Sequence, residues 1–209
     1  MANEKKPGVF AGPLWTNNPV VVQVLGICSA LAVTTQMKPA LVMGIALTCV
    51  LAFANVIISL LRNTIPNRIR IIVQLVVVAA LVIIVNQILK AYVYDVSKAL
   101  SVYVGLIITN CILMGRLEAF ALGNKPFPAL LDGLGNGLGY AGILLVVATI
   151  REFFGSGTLF GFDILNRFDV DPTCWYQNCG FFVMPSAALI ILGCIIWYLR
   201  AKNPELQDK

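Results

Sequence analysis

Histidine is missing from all 209 residues, and that omission removes imidazole-ligated haem, His-ligated zinc and Ser-His-Asp hydrolysis together. Any metal here must use cysteine or carboxylate. Charge is scarce as well: Asp, Glu, Lys and Arg make up 12% of the chain, where soluble domains carry roughly a quarter. Met1–Thr16 holds Lys5 and Lys6 but no long apolar run, so it reads as a short tail before a first span and not as a secretory signal. The net charge of +5 is scattered between apolar runs, as membrane loops require, which speaks against nucleic acid as a partner.

What is abundant is apolar surface, at 59% of residues and a mean hydropathy of +0.86. A membrane span needs about 20 mainly apolar residues, so most of the chain is taken up by spans and short loops. Apolar runs bounded by charge, Pro or Gly fall at Pro19–Thr35, Pro39–Leu61, Ile69–Leu89, Ser101–Gly115, Leu130–Thr149 and Gly180–Leu199. The expected fold is therefore an all-α integral membrane domain of six transmembrane helices over residues 1–209. The first and fourth runs are short and predict broken helices. Six spans put both termini on one side. Ten of the 15 basic residues sit in the tails and even-numbered loops, and the other loops hold Lys38, Lys90, Lys98, Arg151 and Arg167. Cytoplasmic termini follow. Trp15, Trp175 and Trp197 fall near span ends, where indole prefers the interface.

The short runs also align: Leu25-Gly26-Ile27-Cys28-Ser29-Ala30-Leu31-Ala32 over Ile108-Thr109-Asn110-Cys111-Ile112-Leu113-Met114-Gly115, an offset of 83 residues. Two further spans lie between them, so the repeat unit has three helices and must invert, giving repeat one at about 17–95 and repeat two at about 99–200. Each Cys lies near the middle of its run, roughly 14 Å (Cys28) and 15 Å (Cys111) deep at about 1.5 Å per residue. Thiolate is a soft ligand that selects iron-sulfur clusters, zinc or Cu(I). A four-thiolate site would need two more Cys from a second copy or a homologous partner. The same two residues also read as small packing hydrophobes, a common use of free Cys. Cys49 and Cys194 within spans read as packing residues, and Cys174 and Cys179 as a disulfide candidate in an outer loop.

These residues carry a resemblance. Asn17-Asn18-Pro19, Gln23 to Thr34, Arg70-Ile71-Ile72-Val73-Gln74, Gln87 to Tyr92, Gly105 to Cys111, Gly115-Arg116-Leu117-Glu118-Ala119-Phe120-Ala121 and Asp132 to Gly139 are together similar to the family of D-type membrane subunits of Na+-translocating NADH:quinone reductases. The Rnf ferredoxin:NAD reductases have related membrane subunits that share several of these patterns. The resemblance implies a non-autonomous subunit of a sodium-translocating oxidoreductase in a bacterial inner membrane. It implies pairing with a homologous E-type subunit of opposite orientation, beside flavin- and iron-sulfur-bearing subunits. It further implies that Cys28 and Cys111 supply two of the ligands of a shared intramembrane iron centre, [2Fe–2S] or a single Fe, that carries electrons across the bilayer. An inverted-repeat secondary transporter is the competing reading, and it would not need the two Cys.

Other features weigh less. Arg116 and Glu118 read either as lining the approach to a metal or a Na+ path, or as loop anchors at the interface. Gly133, Gly135, Gly137 and Gly139 precede an apolar helix without a strand before them, so they predict close helix packing and not a nucleotide loop. Ser156-Gly157-Thr158 lacks the context of a flavin-attachment motif. Asn86, Gln87 and Asn110 are expected to hydrogen-bond between helices.

Overall fold

Backbone in lipid must satisfy its own N–H and C=O groups, which an α-helix does within one segment. The computed structural model describes residues 18–63, 65–66, 68–92, 105–156, 158–159, 162–163 and 180–202. It is all-α: α1 (Ile27–Val33), α2 (Met37–Leu61), α3 (Arg70–Tyr92), α4 (Cys111–Arg116), α5 (Pro126–Ser156) and α6 (Pro185–Lys202). A two-residue antiparallel pairing of Thr158–Leu159 with Phe162–Asp163 follows α5, and a 3-10 turn at Gly180–Val183 leads into α6.

Four helices are long and apolar enough to cross a membrane, Met37–Leu61, Arg70–Ile88, Pro126–Gly155 and Pro185–Lys202. The 25 residues of α2 extend about 38 Å, beyond the roughly 30 Å of a hydrocarbon core. The other two expected spans are broken helices, as their short apolar runs predict. Before α1 the chain turns irregularly, with Val22 N–H bonded to the Asn18 carbonyl and Leu25 N–H to the Pro19 carbonyl, both at 2.9 Å. Gly26 then takes the left-handed conformation at φ 82, and Val24 does so at φ 55. For a β-branched residue that costs about 1–2 kcal/mol. In the other half, a helical turn at 105–108 stops at Thr109-Asn110. Asn110 caps α4 by accepting the Ile112 N–H on its side-chain oxygen at 3.3 Å. Five residues of π-helix, Leu117–Ala121, continue α4. The fifth run is longer than its apolar stretch suggests, reaching from Pro126 to Ser156.

Antiparallel α2 and α5 form the centre, pressed together by small residues. A Cβ added at Gly44 would lie 2.9 Å from Ala141 Cβ; one at Gly137, 2.8 Å from Thr48 Cα; one at Gly133, 2.9 Å from Ala52 Cα. This bears out close helix packing for Gly133 and Gly137 of the glycine run. Without a hydrophobic drive between helices in lipid, such backbone approach is what holds them. Residues 44, 48 and 52 of α2 stand 89 positions before 133, 137 and 141 of α5. The contacts therefore exchange about a local twofold through Thr48 and Gly137. Met43, Leu47, Leu51, Ile58, Tyr140, Leu144 and Val147 fill the buried core beside this seam. Helices α3 and α6 lie outside it: 17% of each span is buried, against 61% for α2 and 50% for α5. Trp197 is exposed near the C-terminal end of α6, as an interfacial indole should be. Trp15 and Trp175 lie outside the described residues.

Polar side chains tie the ends of the seam. Glu152 of α5 accepts the Met37 N–H at 2.6 Å, supplying a carboxylate to the otherwise uncapped start of α2. Its neighbour Arg151, counted above among loop charges, is instead 1% exposed within α5. Its guanidinium donates to the carbonyls of Leu31, Phe182, Val183 and Met184 and to Thr34 Oγ1. The apolar run ends at Thr149, but the helix does not, and that is why the residue is inside.

Candidate metal centre

The two breaks bring Cys28 and Cys111 together. Cys28 is the second residue of α1 and Cys111 the first of α4. Each therefore opens a half-helix and does not sit mid-helix as its place in the apolar run suggested. Cys111 Sγ lies 2.9 Å from the backbone nitrogen of Gly26, two residues before Cys28, so the two cysteines are neighbours across the breaks. The backbone N–H of Gly26, turned inward by its positive φ, donates to Cys111 Sγ at 2.9 Å. Only glycine fits there, because a Cβ would lie 2.5 Å from Ile112 Cδ1 and 3.0 Å from Tyr140 Cε2.

Behind the sulfurs lies a buried polar set. Asn110 Nδ2 donates to Ser29 Oγ at 3.0 Å, Ser29 Oγ shares a 2.6 Å hydrogen bond with Tyr140 OH, and Ser29 also donates to the Gly26 carbonyl at 3.0 Å. Asn110 thus makes the expected inter-helix bond. Gln87 is exposed and Asn86 half-buried on α3, and among the described residues neither makes such a bond. In front, Cys28 is exposed and Cys111 half-buried. The pair therefore opens at the surface of the chain, where a neighbouring protein could reach it. Among the described residues no three His, Cys, Asp or Glu side chains converge. Two soft donors side by side, one already stabilised by an N–H, fit half of a four-thiolate set and no more.

Relatives supply the family. The family model described as "Rnf-Nqr subunit, membrane protein" matches residues 8–196. The chain belongs to that family. It is 58% identical over 193 residues to the D subunit of the Na(+)-translocating NADH-quinone reductase of Aeromonas hydrophila, covering 92% of this chain and 91% of that protein. With the D subunit of the same reductase from Shewanella halifaxensis it shares 55% over 206 residues, 98% of this chain and 97% of the relative.

The sequence patterns of this Rnf-Nqr chain meet one another in space. Glu118, in the π-helical turn, pairs with Arg70 and accepts from Gln74 Nε2 at 3.2 Å. Arg116 grips Asp132 through Nε at 3.0 Å and Nη2 at 2.5 Å, its guanidinium 5.5 Å from the centre of the Phe120 ring. Asn136 Nδ2 supports the same carboxylate at 3.0 Å. Arg116 and Glu118 thus tie α4 to α5 and to α3. Cys49 and Cys194 are exposed on α2 and α6, so neither packs in the core. Cys174, Cys179 and Gly157 lie outside the described residues. Ser29, Tyr140 and Arg151 carry no motif of their own in the sequence, and Asp132 stands out only within one. A lone Ser, Tyr or Arg carries no signal until its neighbours are known.

Proposed function

We propose that this chain is the D-type subunit of a Na+-translocating NADH:quinone reductase, and that Cys28 and Cys111 hold half of an intramembrane iron centre. The observation that carries this is the meeting of two half-helix starts, their cysteines 83 residues apart, at an open face, where the Gly26 N–H, two residues before Cys28, donates to Cys111 Sγ. A homologous E-type subunit of opposite orientation would supply two more Cys, completing a [2Fe–2S] or single-iron site. Iron held there would supply one-electron chemistry between the flavin- and iron-sulfur-bearing subunits on the two sides of the membrane. The chain's own part is to fix two ligands, keep polar groups off the inner side except those that bond one another, and set the depth.

The two broken helices, whose cysteines stand 83 residues apart, support an inverted repeat, residues 17–95 and 99–200, and so the six-span reading. Removing Arg116 and Arg151, both engaged inside the fold, leaves nine basic residues against four, the same bias towards cytoplasmic termini in a bacterial inner membrane. Identities of 58% and 55% to D subunits of the sodium-translocating enzyme favour this assignment over an Rnf-type reductase. An inverted-repeat transporter gives the thiol pair no task.

The test is iron content and EPR of the reduced complex, purified with its partner subunits, for the native chain, Cys28→Ala and Cys111→Ala. Loss of the same iron signal and of quinone reduction in both, with assembly intact, is the expected result. Persistence of iron and electron transfer in both variants would return the cysteines to packing and the chain to a transporter or scaffold role.

A further inference from the structure

The polar set behind the thiols can be accounted for proton by proton. A serine hydroxyl has one hydrogen and two lone pairs. Ser29 gives its hydrogen to the Gly26 carbonyl, so it accepts from both Asn110 Nδ2 and Tyr140 OH. The Asn110 oxygen takes the Ile112 N–H. Ser29, Asn110 and Tyr140 are each 0% exposed, so no water stands in for a missing partner. The result is one directed chain: Tyr140 O–H to Ser29 Oγ, Ser29 O–H to the Gly26 carbonyl, and on the other side of the same residue Gly26 N–H to Cys111 Sγ. Tyr140 belongs to α5, so it bonds to Ser29 of α1, and through Ser29 reaches Asn110 at the start of α4, from outside both half-helices. Ser29 follows Cys28 in sequence, and Asn110 precedes Cys111.

We propose that Tyr140 is a positioning residue for the thiol pair, its hydroxyl holding Gly26 and Asn110 through Ser29 so that the two sulfurs keep their spacing and Cys111 keeps its N–H. The spacing needs no metal; the redox consequence rests on the iron reading above. A hydrogen bond to a ligand sulfur offsets the extra negative charge of the reduced centre, so losing its support lowers the reduction potential. The ring itself packs against Gly26, 3.0 Å from where a Cβ would stand. Tyr140→Phe keeps that ring and removes only the donor.

Two readouts test this. The metal-free full-length chain, with Cys49, Cys174, Cys179 and Cys194 changed to Ser, is titrated with phenylarsine oxide, which bridges two adjacent thiols. Native Tyr140 should bind it tightly and lose binding with Cys28→Ala, while Tyr140→Phe and Ser29→Ala should each bind roughly tenfold more weakly, the worth of one buried hydrogen bond. In the intact complex, the iron signal of Tyr140→Phe should titrate at a lower potential than the native one. Ser29→Ala breaks the same link from α1 and decides the matter if Tyr140→Phe fails to accumulate. Unchanged arsenical affinity in the variants, or an unmoved potential, overturns the proposal while leaving iron binding in place. If the native complex holds no iron at Cys28 and Cys111, the metal reading falls and the arsenical titration alone decides the role of Tyr140.

Discussion

Arg151→Met should destabilise the chain by about 3–5 kcal/mol, and the reason is a count of donors. The guanidinium serves the Leu31 carbonyl at 3.2 Å, Thr34 Oγ1 at 2.7 Å, the Phe182 carbonyl at 3.1 Å, the Val183 carbonyl at 2.6 Å and the Met184 carbonyl at 3.3 Å. Hydrogen bonds from a charged donor contribute about 1.5–3 kcal/mol each, and a buried acceptor left bare costs about 1–3 kcal/mol. Against this, a methionine of similar length need not be desolvated, which returns several kcal/mol because no carboxylate among the described residues compensates the buried charge. The lost bonds win. At roughly 2–4 °C per kcal/mol, thermal unfolding of the purified protein should fall by on the order of 10 °C. Arg151→Lys, with three donors in place of five, should recover part of it. Because Leu31 and Thr34 end the half-helix that carries Cys28, a maleimide should label Cys28 faster in Arg151→Met. Labelling of Cys194, which makes no bond to Arg151, should stay constant. A melting point within about 2 °C of native would mean that these carbonyls find other donors and that the hub reasoning is wrong.

At the helix seam, Gly137→Ala should cost about 1–3 kcal/mol in thermal unfolding, since its Cβ meets the Thr48 backbone, whereas Gly142→Ala, with nothing within 4 Å, should be neutral or gain up to about 1 kcal/mol. Asp132→Asn strands a mostly buried Arg116 and should cost about 3–5 kcal/mol. Glu118→Gln breaks a pair whose side chains are 40% and 36% exposed and should cost no more than about 1 kcal/mol, less at high salt; melting curves at two salt concentrations separate the cases. Cys49→Ser and Cys194→Ser, on outward faces, should leave iron content and quinone reduction at native levels.

The spans are legible in the sequence because lipid leaves the backbone few choices. The breaks are legible because apolar runs as short as Pro19–Thr35 and Ser101–Gly115 cannot make a full crossing helix. Gly133 and Gly137 can be read as packing residues from spacing alone, and they are. Cys28 and Cys111 can be paired because each lies near the middle of a short apolar run, with two full spans between the runs. What stays hidden depends on which helix faces which. Arg151 looks like a loop charge because the apolar run stops at Thr149, well before α5 ends at Ser156. Tyr140 is an ordinary aromatic in an apolar run until α5 is laid against α1. Cys49 and Cys194 look like core because hydropathy cannot tell a lipid-facing stripe from an inward one.

The seam between α2 and α5 also limits how this chain can move. With backbone against backbone at Gly44, Gly133 and Gly137, there is no side-chain cushion for one half to slide or rock on. Those two helices form a keel. Residues 18–26 and the Thr109-Asn110 break lie off this keel but are moored to it, Asn18 to the Gly139 carbonyl and Asn110 through Ser29 to Tyr140. The sulfurs therefore inherit the stillness of the frame, and a cycle that displaces anything must do so in what docks against them.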